Sequence, residues 1–453
     1  MRLLLALAIL GSLAVAAEEW NRFRGPNGSG VAQGGGYPAV LGKPAWRSPV
    51  RPGKSSPVLT EKHIFLSGFE DDKLYTQCFE RASGKLLWER FIGKTRSETV
   101  NSLNHPAGLS PVTDGENVYV FFKDFGLVSY SASGKLRWKT PLGPFTNVMG
   151  LGASPVISGG AVILTIDQVD DSYIAAFDCK NGEIRWKTPR QEVDAWGSPL
   201  VYGPSILTVS RGQVGAHLAA SGKRTMTFPG LPPTIVASPI LDGDTLYFFG
   251  YGSESAAPFA AKLARLDKNK DGLLSPDEYG DDAYTRGVGK YKGNRDGIVD
   301  QSEWDEKAKE TLGLNGLMAV KLIPGKPLTA RELWRYEKSF SYIVPSLLLY
   351  EGVLYSVKNG GILSTFDAAT GKVLKTGRIS TSATGGYSAS PVAAAGKIYL
   401  ANEDGKLLVL KASGDAWEVL SSVDLDEPVY ATPALSQGSV YVRTGAALYR
   451  YGS

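Results

Sequence analysis

Cysteine, histidine and methionine are all scarce in this chain of 453 residues, at two, three and four copies. Cys78 and Cys179 cannot make a disulfide framework and fall in non-adjacent copies of the repeat described below, so free buried thiols are expected. His63, His105 and His217 show no metal-binding spacing, and no Gly-x-Ser-x-Gly occurs, which removes the common zinc-enzyme and serine-hydrolase readings. Basic runs are missing too. With 49 Lys and Arg against 45 Asp and Glu, the formal charge of +4 is too slight and too scattered for a nucleic-acid surface. Past residue 17 no apolar stretch approaches the roughly 20 residues that span a bilayer, so no integral membrane segment is expected beyond that point.

What is present begins with MRLLLALAILGSLAVAA. Arg2, an apolar core from Leu3 to Val15 and small residues at Ala14–Ala17 have the pattern of a secretory signal, residues 1–17. The apolar run is too short for an anchor, and no cysteine follows the cleavage site to carry a lipid. An exported protein, periplasmic or secreted, is expected.

A small residue, a proline and an aliphatic run recur before a turn and a second apolar run. Examples are SSPVLTEKHIFLSG, ASPVISGGAVILTI and ASPVAAAGKIYLAN. The prolines are Pro57, Pro111, Pro155, Pro199, Pro239, Pro345, Pro391 and Pro433, spaced by 54, 44, 44, 40, 106, 46 and 42 residues. Six of these seven spacings suit a four-stranded propeller blade of roughly 40–50 residues, and the long one carries an insertion. A third strand follows in each copy, then a turn of the form Gly-Lys-x-x-Trp, as in Gly84–Trp88 and Gly134–Trp138, with Glu for Lys in Gly182–Trp186. The glycine suits a turn with positive φ, and the tryptophan suits the gap between outer strands. Met226 and Lys375 replace it in blades 4 and 6, whose outer strands are expected to pack less well. The eighth copy stops after its third strand, while a spare Gly42–Trp46 element precedes the first. The expected fold is therefore all-β: an eight-bladed β-propeller closed by its N-terminal strand, with a small α-helical insertion in blade 5.

These blades resemble the quinoprotein (PQQ-type) propeller repeat, and Phe366–Lys372 is the nearest copy of its second half. Trp20–Gly30, WNRFRGPNGSG, is similar to the lead-in of exported quinoprotein-like chains. The resemblance covers nearly the whole chain outside the insertion and implies fold more firmly than function. Quinone-dependent dehydrogenases of this type carry adjacent cysteines and an acidic base at their cofactor. No such cysteine pair exists here, so PQQ is possible but not expected.

The insertion divides the chain into a signal (1–17), a first propeller part (18–252), an inserted module (253–315) and a second propeller part (316–453). It contains DKNKDGLLSPDE, a full match to the twelve-residue EF-hand loop. Asp267, Asn269, Asp271, the Leu273 carbonyl, Ser275 and Glu278 would supply the oxygens that a hard cation such as calcium needs, with Gly272 at the sharp turn. A second loop, KGNRDGIVDQSE, offers Asn294, Asp296, Ile298, Asp300 and Glu303, but Lys292 stands where an aspartate belongs, so that site should be weak. Leu274 and Val299 are placed to bridge the two loops. No methionine lies between Phe259 and Leu312, which favours a calcium staple over a sensor that opens a groove.

The loops that precede each inner strand share a face with the insertion. They carry Trp196, Tyr342, Tyr387 and Tyr430, together with Asn101, Asn104, His105, Arg51 and Lys54, which would form an aromatic and polar funnel over the channel. Asp167 and Asp194 are candidate bases there. An exported binding or scaffold protein with a protein or peptide partner is the expected function, resembling the outer-membrane assembly lipoprotein that shares the repeat. A quinone-dependent dehydrogenase is the alternative.

Overall fold

The computed structural model describes residues 20–95, 104–147, 149–192, 195–252, 258–338 and 343–452. The expected signal peptide, Asn101, Asp194 and Tyr342 lie outside the described residues. Among those described, strands form eight four-stranded antiparallel sheets, each a meander of strands A to D from the channel outward. Blade 3 is typical, with A at Val156–Ser158, B at Ala161–Ile166, C at Tyr173–Asp178 and D at Ile184–Pro189. Blade 8 takes its outer strand, Trp46–Pro49, from the N-terminus, where it pairs antiparallel with Ala447–Tyr451. Closure of this kind completes the eighth blade and leaves only the short outer-strand edges of the blades exposed. Cys78 and Cys179 are free and buried, as expected.

Two features explain the repeat in physical terms. First, the serine or threonine before each repeat proline builds a closed ring. The hydroxyls of Ser110, Ser154, Ser198, Ser238, Ser346, Ser390, Thr432 and Ser56 each accept the backbone N–H of the equivalent residue one blade earlier, at 2.9–3.1 Å. Buried inner-strand N–H groups are satisfied sideways, from blade to blade. This ring corrects the alignment of blade 6. Ser346 is the ring residue, so Leu347 holds the proline position and Pro345 sits two residues upstream.

Second, each outer-strand tryptophan lies on the turn glycine of the next blade. Trp46, Trp88, Trp138, Trp186 and Trp334 cover Gly84, Gly134, Gly182, Gly222 and Gly371, where a Cβ would come within 2.3–2.7 Å of the ring. The glycine is therefore required for contact as well as for its φ of +71 to +79°. A register shift between strands C and D beside the tryptophan, as at Ala176/Phe177, aims the ring at the neighbouring blade. Blades 4 and 6 do not pack loosely, contrary to expectation. Met226 is buried against the core of blades 4 and 5, and the Lys375 ammonium lies 4.0 Å from the centre of the Trp417 ring supplied by blade 7.

The lead-in closes the channel at its A–B end. Trp20 O accepts from Leu59 N at 2.8 Å and Asn21 O from Thr113 N at 2.9 Å, while Gly30 O accepts from Ala393 N at 2.8 Å. Asn27 donates to Val201 O at 2.9 Å. One short segment thus ties blades 1, 2, 4 and 7 together.

The insertion leaves blade 5 after strand B (Thr245–Gly250) and returns as strand C (Gly316–Ile323). It comprises helices α1 (Phe259–Leu266), α2 (Pro276–Tyr279), α3 (Ala283–Tyr291) and α4 (Gln301–Thr311). Phe259, Leu274, Tyr279, Val288, Val299 and Trp304 form its own small core. Leu274 and Val299 form the expected antiparallel bridge between the two loops, with N···O distances of 2.9 and 3.0 Å.

Candidate functional site

The D–A and B–C loops do share one face. Asn147, in the loop from blade 2 to blade 3, donates to Asp167 O at 2.8 Å, and Thr146 O accepts from Val169 N at 2.8 Å. The inserted module leans across this face. Arg295 in its second loop grips Asp170 of blade 3 with two bonds, at 2.7 and 3.0 Å. Glu310 of α4 meets Arg211 of blade 4 at 3.4 Å.

On the funnel side of that face the structure brings together some of the expected residues. Asn104 donates to Met149 O at 2.9 Å and Leu151 O at 3.2 Å, and the Trp196 indole donates to Gly150 O at 2.9 Å, so both clasp the same loop. His105 accepts Ala107 N on Nδ1 at 3.1 Å, which leaves Nε2 to carry the ring proton. Lys54 lies over Tyr430, 3.8 Å from the ring centre. Tyr387 does not belong with them. It is 1% exposed, its hydroxyl bonds Ala383 O at 3.0 Å, and burial pushes its pKa to about 12. The polar residue that sequence reading missed is Arg443. Its buried guanidinium donates to Ser55 O at 3.0 Å and Arg51 O at 2.9 Å, passing Gly53 where a Cβ would lie 2.4 Å away. A charge inside the apolar run SVYVRT was the available signal.

Charges of both signs meet in the funnel: Glu403 acts on Lys54, and Arg51 pairs with Glu70 and Glu89. Burial, then the charges of Arg443 and Lys54, hold the His105 pKa down to about 4. Burial also lowers Lys54. Asp167, a candidate base, is instead committed elsewhere: it is buried and accepts two bonds from the Arg190 guanidinium, at 2.7 and 3.1 Å.

His217 is buried beside Arg190 and Arg224, with neither ring nitrogen hydrogen-bonded among the described residues. Burial first, then Arg190 and Arg224, lower its pKa to about 4. The unfolded chain takes up these protons near pH 6.5, whereas the fold resists until about pH 4. Stability is therefore complete above pH 6.5 and is lost as the pH falls towards 4, by up to about 1.4 kcal/mol per pH unit for each histidine. Urea unfolding of His217→Gln between pH 7 and 4.5 should show a slope shallower by about one proton than the parent. An unchanged slope would contradict this assignment.

In the first loop of the module the oxygens turn inward. Asp267 accepts Gly272 N at 3.0 Å, Asn269 accepts Asp271 N at 2.9 Å and Asp271 accepts Leu273 N at 2.8 Å. Glu278 accepts Ser275 N at 2.9 Å and its hydroxyl at 2.8 Å, bonds that hold its pKa down to about 2. The same Ser275 and Glu278 form the capping box of α2. Among the described residues no three acidic, imidazole or thiolate groups converge as around a bound metal. The second loop is built differently. Asn294 and Asp296 keep the loop turns, with Asp296 N bonded to Asn294 at 3.0 Å and Ile298 N to Asp296 at 2.7 Å, and Asp300 and Glu303 form the capping box of α4. Lys292 swings out to Glu310 and Glu306. Gly297 N, which in the first loop would meet an aspartate, donates to Gly289 O at 3.1 Å. A Cβ at Gly289 would lie 2.7 Å from Gly297 O, so that glycine makes the substitution possible.

A family described as outer membrane protein assembly factor BamB matches residues 29–226 and 321–447, a span that passes over the insertion. The outer membrane protein assembly factor BamB of Moranella endobia (strain PCIT) is 24% identical over 164 residues, 36% of this chain and 40% of that protein. The match thus spans well under half the length of that curated relative. Among solved structures, BamB from Moraxella catarrhalis superimposes with a TM-score of 0.58 at 13% identity, covering 91% of this chain and 100% of that one. Quinohemoprotein alcohol dehydrogenase from Comamonas testosteroni gives a TM-score of 0.59 at 12% identity, covering 96% of this chain and 80% of the enzyme. At such identities these superpositions speak for the fold alone.

Proposed function

Because the chain belongs to the outer membrane protein assembly factor BamB family, we propose that it is an exported, periplasmic binding propeller that engages a protein or peptide partner through the funnel face. The observation that carries this reading is the contrast between the two ends of the channel. The A–B end is sealed by the lead-in, whereas the other presents Trp196, Tyr430, Lys54 and His105 beside a docked module. Aromatic rings flanked by cations suit an extended or acidic peptide. The first loop of the module would hold calcium through Asp267, Asn269, Asp271, the Leu273 carbonyl, Ser275 and Glu278, an all-oxygen set of the kind a hard cation takes. The second loop has already replaced its first ligand with internal hydrogen bonds.

Calorimetric titration with calcium tests the module. Binding of about one ion per chain is expected, weakened at least about tenfold in Glu278→Gln and unchanged in Glu303→Gln. Two equal sites, or loss of binding in Glu303→Gln alone, would overturn the assignment to the first loop.

The shared propeller of the quinohemoprotein dehydrogenase keeps a redox reading in view, and Lys54 and Arg443 are the cations that an anionic quinone would meet. The cysteines do not fit it: Cys78 and Cys179 are both buried in their blades, and burial raises both thiols. Titration with PQQ in the presence of calcium should give neither heat nor a stable chromophore. A stoichiometric coloured complex would favour the dehydrogenase reading instead.

A further inference from the structure

Two arginines of the lead-in are buried with no carboxylate partner among the described residues. Arg24 is 0% exposed; its Nη2 donates to Leu347 O at 2.5 Å, and its Nε and Nη1 meet no acceptor among the described residues. Arg22 is buried as well. It donates to Pro199 O at 2.6 Å and to Asn27 Oδ1 at 3.3 Å, and its Nε meets no acceptor. The Trp20 indole N–H, in the same segment, also has no acceptor among the described residues. Four donors within five residues are thus enclosed and unsatisfied.

The acceptors that are used place these guanidiniums. Pro199 and Leu347 directly follow Ser198 and Ser346 of the hydroxyl ring, so both arginines sit just beneath that ring on the inner strands of blades 4 and 6. Each ring hydroxyl accepts one N–H, and its own proton has no acceptor among the described residues. The same protein shows what a paired buried arginine looks like. Arg190 is equally enclosed, with 0% side-chain exposure, and has Asp167 at 2.7 Å and Glu192 at 3.6 Å. Burial with no such partner lowers Arg22 and Arg24 to about 9, still cationic at neutral pH.

Burying a guanidinium is costly unless its charge is countered and its N–H groups are bonded. We propose that the channel binds a small inorganic anion between the hydroxyl ring and the lead-in, held by the two open donors of one enclosed guanidinium, Arg24 Nε and Nη1. The anion completes the seal, making the lead-in an anion-dependent plug. Halide and phosphate-type oxyanions share the chemistry that such donors recognise.

The test uses the mature protein at fixed ionic strength. Thermal unfolding is followed in sodium gluconate, a bulky anion taken as the reference, with increasing chloride or phosphate in its place. A saturating rise of about 2–4 °C with one of them is expected, and the active anion tells halide from oxyanion. Arg24→Met should abolish the rise, whereas Arg47→Met, at an exposed arginine, should keep it. Should Arg24→Met fail to fold, crystals of the parent grown in bromide or in arsenate decide. An anomalous peak within hydrogen-bonding reach of the Arg24 guanidinium supports the site. Identical unfolding in gluconate, chloride and phosphate, with no anomalous peak near Arg24, would overturn it.

Discussion

Asp167→Ala should destabilise the protein by about 3–5 kcal/mol in urea unfolding at pH 7, because it leaves a buried guanidinium short of its main counter-charge. Arg190 has 0% side-chain exposure and spends its donors on Asp167, Thr208 and Ser210, at 2.7–3.3 Å. Although burial alone would lower it, Asp167 and then Glu192 hold the Arg190 guanidinium above its usual pKa. Without Asp167, the remaining carboxylate is Glu192, whose Oε2 lies 3.6 Å from Arg190 while its Oε1 is bonded to Arg224. The double variant Asp167→Leu/Arg190→Met removes both charges and should recover most of the loss, since an apolar pair of similar volume does nearly as well. If the single variant were as stable as the parent, the buried network would not be holding blades 3 and 4 together at the module's base.

Trp138→Ala should cost about as much, roughly 3–5 kcal/mol. Its ring is buried on Gly182, and its indole donates to Cys179 O at 3.1 Å, so the change opens a cavity and removes one of the three bonds that this carbonyl accepts at the junction of blades 2 and 3. Gly182→Ala attacks the same contact from the other side. It places a Cβ 2.4 Å from the ring at a φ of +76°, and a loss of about 2–3 kcal/mol is expected. The two changes share one space, so the double variant should lose clearly less than the sum. Strict additivity in that cycle would mean that ring and glycine do not depend on each other.

The propeller was legible because each blade makes the same local demand and states it in the same residues. Proline and tryptophan are conspicuous, and they led to the blade count, the closure and the place of the insertion. They also misled once: Pro345 stood in for Leu347, since the residue that matters for the ring is the serine rather than the proline. Met226 and Lys375 looked like weak points because their compensating partners, the core of blade 5 and Trp417, lie on other blades. Distance along the chain hid more. The role of the lead-in depends on contacts such as Asn27 with Val201 and Arg24 with Leu347, which no local pattern encodes. Tyr387 and Asp167 were candidates by loop position alone. Only their partners, Ala383 O and Arg190, assign them to packing and charge balance.

The most direct test of the binding account is photocrosslinking in the native host, with a benzophenone amino acid replacing Tyr430 or Trp196 on the funnel face and Glu351 on the sealed face. Glu351 lines a surface cavity formed by the A–B turns of blades 5 to 7 and the lead-in. The account predicts one discrete protein adduct shared by the two funnel positions and absent at position 351. An adduct at position 351 alone, or none at either funnel position with the protein folded and exported, would contradict it.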